Sequence, residues 1–434
     1  MTQVPLNVLD EHFLNLDQER EPWGVHIEVR VSGRLDAERL AAAIRAAIGR
    51  HPLARVKLMR SRPLDVAYRW DIDDAPDRMP LTVADCRDDR SLAAVRESLF
   101  AMSPPLRVAP PFRVVLVHRP GGDAILVNLH HAAGDGVSAV RLMRSVLRAY
   151  AGVDDPVPAL NRPALRDVLG LARSRSVQER AARWTAMACE AARRLAPVTR
   201  IARQGGDRRP GYGFELIALS RDETAAVLAK RDADDAATVN DVLLAALTIA
   251  IRRWNARHGR TTGRVALTMP VNMRPDAWRE EVLGNYAAYV TVSLASRDHD
   301  DVRSALEETV YRTREIKESR LAGVTVMLLV GPSMLPVAAK RRLQCLIPLT
   351  GNAVVDTASL SNLGVLDGWP DLGDGAGRVE ALWFSPPGRA PLGAAIGIGT
   401  FGGRLHVAMR YPHSQFDRAG ARAFGALYRE VLVA

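Results

Sequence analysis

The chain has 434 residues, of which 47% are apolar and 25% charged, and it carries 32 glycines and 26 prolines. These proportions exclude a disordered chain, a collagen-like repeat and a small disulfide scaffold, and the length suffices for two large lobes. The formal net charge is +10, but Lys57, Lys230, Lys317 and Lys340 are the only lysines. An arginine bias of this kind, beside abundant alanine, matches a GC-rich coding sequence. Its functional reading is attraction for an acidic partner: coenzyme A, an acidic carrier protein or an anionic membrane surface. No basic run is interleaved with aromatics, so nucleic acid is not an expected partner.

Cys86, Cys189 and Cys345 are odd in number, far apart and outside any CxxC pair, which fits a reducing, cytoplasmic compartment without a disulfide framework. The opening MTQVPLNVLDEHFLNLDQER lacks the basic start and apolar core of a signal peptide. In chain order, alternation at Val25, Ile27, Val29 and Val31 predicts a strand. A helix follows from an N-cap at Asp36 through Leu40, Ile44 and Ile48 to Gly49. Strands are predicted at 113–118 and 124–130 around the turn 120–123, the second apolar enough to be covered on both faces. A helix is predicted over 137–150.

Composition shifts at 151–163 and more sharply at 203–213 (RQGGDRRPGYG), which reads as a linker. We therefore expect an N-terminal lobe at 1–202 and a C-terminal lobe at 214–434. The second half predicts strands at 214–219, 265–271, 287–294, 379–384, 394–400 and 405–411. Helices are predicted at 239–254 and 301–317, and a last one from Asp417. Mixed strands and helices without regular alternation give an α/β fold in two lobes. The longest uncharged apolar stretch, Leu321 to Ala339, is broken by Pro332 and Pro336. It reads as core or tunnel lining rather than a spanning helix, with contact to lipid or a greasy substrate as the second reading.

The chemistry concentrates in Asn128-Leu129-His130-His131-Ala132-Ala133-Gly134-Asp135-Gly136. Two histidines end a buried strand, and a turn and a helix start follow. A neutral imidazole fixed at an element end takes a proton from a hydroxyl, amine or thiol near neutral pH. Asp135 is placed to brace the loop, and Gly136 offers a backbone conformation that other residues resist. Two alternatives stand beside this. One is a metal site of His130, His131 and Asp135, weakened because adjacent strand residues point to opposite faces. The other is a pair of structural histidines.

HHAAGDG matches the HHxxxDG motif, and the chain resembles the superfamily of condensation domains and chloramphenicol acetyltransferase-like acyltransferases. Further likeness lies in Pro5–Asp10 with Phe13-Leu14, in Arg50-His51-Pro52 through Arg55, in Pro105-Leu106-Arg107, and in Phe112-Arg113-Val114. The second half adds Val239–Val242, Pro270–Pro275, Gly284-Asn285 and Ser361–Gly364. The opening is most similar to wax ester synthase/diacylglycerol acyltransferases, while the plant-type DFGWG motif is absent.

The resemblance implies two similar α/β lobes forming a V around a substrate tunnel. It implies acyl transfer from a thioester, acyl-CoA or an acyl-carrier protein's phosphopantetheine, to an alcohol or amine. His131 would be the general base, with no metal, no bound cofactor and no covalent acyl-enzyme. His130 would be structural, and Asp135 would pair with Arg274 or Arg55. Ser361 and Asn362 are the candidate oxyanion donors, with a capped turn as the competing reading, and Trp383 is read first as core, with the tunnel wall as its second reading. The alternatives within the resemblance are an amide-forming condensation enzyme of natural-product biosynthesis and a non-catalytic module that binds carrier proteins.

Overall fold

The apolar run Ala124–His130 forms the middle strand of a five-stranded sheet, buried along its whole length. The computed structural model describes residues 2–156, 167–194, 196–206, 210–232, 236–278, 283–294, 301–343, 355–373 and 375–434. Ile125, Val127 and Leu129 enter the main core, while Ala124 and Leu126 pack on the other face with Leu92, Leu99 and Phe100. Period-two alternation thus serves two apolar layers, as a strand covered on both sides requires. Around it the order is Val379–Ser385, Gly24–Val31, Ala124–His130, Phe112–His118 and Leu81–Asp85.

The second sheet has six strands, ordered Ala287–Leu294, Val265–Asn272, Ala358–Val365, Ala395–Phe401, Arg404–Pro412 and Tyr212–Ala218. A small sheet of Thr2–Pro5, Arg69–Ile72 and Val56–Leu58 completes the set among the described residues. The predicted helices form with their caps. Asp36 Oδ1 accepts from the Arg39 amide at 2.7 Å, and Asp301 and Asp417 cap Val302–Glu318 and Arg418–Val433.

The division at 203–213 is less simple than expected. Tyr212 and Gly213 already belong to a strand, and Gln204 exchanges backbone hydrogen bonds with Gln415 and Asp417. More important, Val379–Ser385 leaves the C-terminal half and pairs antiparallel with Gly24–Val31 of the first sheet. Gly397 makes this crossover possible, because a Cβ there would lie 2.0 Å from the Phe384 carbonyl oxygen. Cys86 and Cys189 are free thiols, and Cys345 lies outside the described residues.

Candidate active site

Four segments converge on His131. The motif strand ends at His130, and Asp135 caps the helix Gly136–Ala151, its Oδ1 accepting from the Ser138 amide at 2.9 Å. The helix Val8–Leu16 begins with a capping box between Asn7 and Asp10, and it lays Phe13 against the His131 ring at a centroid distance of 3.9 Å. From the other lobe come Asn285 and Tyr289, before and within the strand Ala287–Leu294.

The two histidines point to different surroundings. His130 Nδ1 accepts from the Ala132 amide at 3.1 Å, so its proton sits on Nε2, 3.4 Å from Asp17 Oδ2. Burial acts to raise Asp17, but hydrogen bonds from His130, Ser103 and the Trp23 amide hold the carboxyl below its ordinary range. His131 instead lines a cavity of about 1340 Å³ between the lobes. That separation is the one adjacent strand positions dictate, and it does not bring both rings to one ion.

The His131 tautomer follows from its neighbours. Asn285 Nδ2 donates to Asp10 Oδ1 (2.8 Å), His131 O (2.8 Å) and Ala132 O (3.2 Å), which fixes the orientation of the amide. Its Oδ1 therefore faces His131 Nδ1 at 3.2 Å as an acceptor, and Nδ1 carries the proton. The Nε2 lone pair is left with the Tyr289 hydroxyl at 3.4 Å. Burial lowers the ring pKa to about 4, so His131 is neutral at pH 7. His12 also lines the cavity, and burial lowers it to about 4. Asp10, behind Asn285, is raised by burial to about 7.

Asp135 stands at the cavity wall, but its carboxylate is taken up by partners of its own. Arg274 Nη2 lies 3.1 and 3.2 Å from its two oxygens, and the Tyr286 amide donates to Oδ2 at 3.1 Å. Burial acts to raise this carboxyl, but Arg274 and the Ser138 and Tyr286 amides outweigh it and hold it low. Of the two expected arginines, only Arg274 takes this place. Arg55 instead donates to the carbonyls of Ile48 (3.1 Å) and Gly49 (2.7 Å), closing the end of the helix Ala37–Arg50.

The reason for a glycine at 136 also differs from the expected one. A Cβ there would lie 2.8 Å from Phe384 Cε2 and 3.0 Å from Leu363 Cδ2. Gly136 is therefore a matter of space between lobes rather than of backbone angles. Ser361 and Asn362 line the cavity on the strand Ala358–Val365. Asn362 Oδ1 accepts from the Gly364 amide at 2.9 Å, so part of its side chain is spent on a local turn. Trp383 does not line the cavity. Alternation along Val379–Ser385 turns Phe384 inward, and Trp383 packs under Arg30 while its Nε1 donates to the Ile217 carbonyl at 3.1 Å. The stretch from Leu321 does serve as lining, through Leu321, Val324, Thr325, Leu328 and Leu329.

In the sequence Asp10, Phe13 and Asn285 stand out only as parts of the family resemblance, and their roles at the base emerge from the fold. The Asn7…Asp10 spacing was a readable signal for the first helix. Nothing local told that Asn285 would reach His131.

Residues 12–327 match the family model described as Condensation domain. A Mycobacterium tuberculosis protein described as uncharacterized protein Rv2305 is 37% identical over 439 residues, spanning 100% of both chains. Tyrocidine synthase 3 of Brevibacillus parabrevis is 29% identical over 127 residues, which are 28% of this chain and 2% of that protein. Among solved structures, the first condensation domain of the CDA synthetase aligns with a TM-score of 0.75 at 16% identity, over 100% of this chain and 96% of that one. The epimerization domain from the third module of tyrocidine synthetase B gives 0.67 at 16% identity, over 99% and 96%. At such identities the structural likeness is one of fold.

Proposed function

The chain belongs to the condensation-domain family, and we propose that it joins an acyl group from a carrier-bound thioester to an amine, with His131 as the base. The carrying observation is the His131 ring, neutral, held by Asn285 through Nδ1 and presenting Nε2 at the cavity. In the proposed step the amine nitrogen attacks the thioester carbonyl carbon while Nε2 takes the nitrogen's proton. The tetrahedral intermediate collapses, the C–S bond breaks, and the thiolate leaves with the proton from His131. Ser361 and Asn362 are the proposed donors to the oxyanion.

Two considerations favour the amide product over the ester that the N-terminal opening suggested. The matching family model is that of condensation domains, and the partial relatives include peptide synthetases. A ring lowered to about 4 is also a weak base. A neutral amine attacks first and becomes acidic as its bond to carbon forms, whereas an alcohol must be deprotonated as it attacks.

The test is thiol release and product formation from acyl-carrier-protein and acyl-CoA donors, each with a panel of amines and alcohols. We expect amine-dependent release that falls about 10²–10⁴-fold in His131→Ala with the fold intact by circular dichroism. Release confined to alcohols would restore the ester reading. Binding of loaded carrier protein without turnover would favour the non-catalytic module.

A further inference from the structure

Most large apolar side chains of this protein are buried, but six protrude together. Met327 and Leu328 are 45% and 56% exposed at the end of the helix Leu321–Leu328, and Met334 and Leu335 follow at 71% and 37%. Leu64 and Val66 are 83% and 50% exposed in a loop that lies beside them. The Val337 and Ala338 amides donate to the Asp65 and Pro63 carbonyls at 2.8 and 3.0 Å, and Lys340 Nζ donates to the Val66 carbonyl at 2.6 Å. Exposed apolar side chains gathered on two hydrogen-bonded segments mark an interaction site.

Cations surround these tips. Arg60, Arg62, Arg107, Arg341 and Arg342 are exposed. Arg341 hydrogen-bonds Tyr68, and Arg107 feels the charges of both Arg341 and Arg60. None of the five has an ion-pair partner among the described residues. The nearest acid in the loop, Asp65, accepts from the Arg62 backbone amide at 2.7 Å. The surface is also continuous with the cavity, since Leu328 and Leu329 line it while Leu328 is exposed.

We propose that this surface docks the protein on an anionic lipid bilayer, with Leu64, Met334 and their neighbours entering the headgroup layer and the five arginines facing lipid phosphates. Apolar tips beside exposed arginines fit that partner on both counts, and the cavity opening beside them lets a long acyl chain pass without crossing water. The contact is peripheral: among the described residues no helix is long and apolar enough to cross a membrane.

The experiment is co-sedimentation of the full chain with vesicles of phosphatidylcholine alone and of phosphatidylcholine mixed with phosphatidylglycerol. We expect binding to the mixed vesicles that weakens with salt and is slight on the neutral ones. Each of Arg62→Gln and Arg342→Gln should weaken it about fivefold. The double variant Leu64→Ser/Met334→Ser should weaken it by at least about tenfold, with an unchanged melting temperature because both side chains are already in solvent. Absence of binding to either vesicle, or binding that these variants leave unchanged, would overturn the proposal. Variants that lose affinity for a purified acidic carrier protein, in a chain that ignores vesicles, would overturn it in favour of protein docking.

Discussion

Asn285 donates through Nδ2 to three oxygens and accepts through Oδ1 from the His131 imidazole, so turning the amide over would break every one of these contacts. A base is useful only when its free nitrogen faces the reacting proton, and this network keeps the lone pair on Nε2. Asn285 is thus a positioning residue, and its removal should act on the imidazole rather than on binding. In Asn285→Ala we expect kcat to fall by roughly tenfold or more with KM little changed, short of the about 10²–10⁴-fold attached to the base itself. The nitrogen-15 spectrum of His131 provides the separate readout. One tautomer, protonated at Nδ1, should become a mixture in the variant. A variant that lost rate while keeping the single tautomer would assign Asn285 a structural part only.

The link between Asp135 and Arg274 joins the cap of one lobe's helix to the segment that follows Val265–Asn272 in the other, and both side chains are almost fully buried. Breaking such a pair from one side leaves a charge without its partner. Arg274→Met should cost about 3–5 kcal/mol in urea unfolding, and adding Asp135→Asn should recover part of it, since the remaining charge is removed while the helix cap is kept. A double variant as unstable as the single would mean that the loss lies in packing. Much of this level was legible beforehand. Strand alternation at 25–31, the apolar run at 124–130 and caps at Asp36, Asp301 and Asp417 are local signals, and the structure forms those elements within a residue or two. The HHxxxDG spacing likewise placed His131 and Asp135. What local signals do not carry is which distant segment arrives. Trp383 and Phe384 are adjacent large aromatics, and only the pairing of Val379–Ser385 with Gly24–Val31 decides which of them faces the cavity. Arg55 and Arg274 were equal candidates for Asp135 until the fold assigned Arg55 to a helix end.

The lobes are also held by an aromatic stack whose centre is titratable. His26, on Gly24–Val31, lies 3.8 Å from the Phe100 ring at 6° between planes, and Phe214 from the second sheet meets both rings edge-on at 5.6 and 5.3 Å. Burial, then the Arg410 charge, holds the imidazole well below its ordinary pKa, so it is neutral in the folded protein. In the unfolded chain the same group protonates near pH 6.5. Between that value and its lower folded pKa the unfolded state therefore binds the extra proton, and stability falls as pH falls. His26 has no hydrogen bond among the described residues, and its Nδ1 is buried without one, so a phenyl ring takes its place at little cost in contacts. Near pH 7 His26→Phe should leave the unfolding free energy nearly unchanged, while near pH 5 it should exceed wild type, by at most about 1.4 kcal/mol for each pH unit below 6.5. Urea unfolding at the two pH values measures the difference directly. An offset that did not change with pH would show that His26 binds its proton in the folded stack as readily as in the unfolded chain, and that acid does not act on the joint between the lobes through this residue.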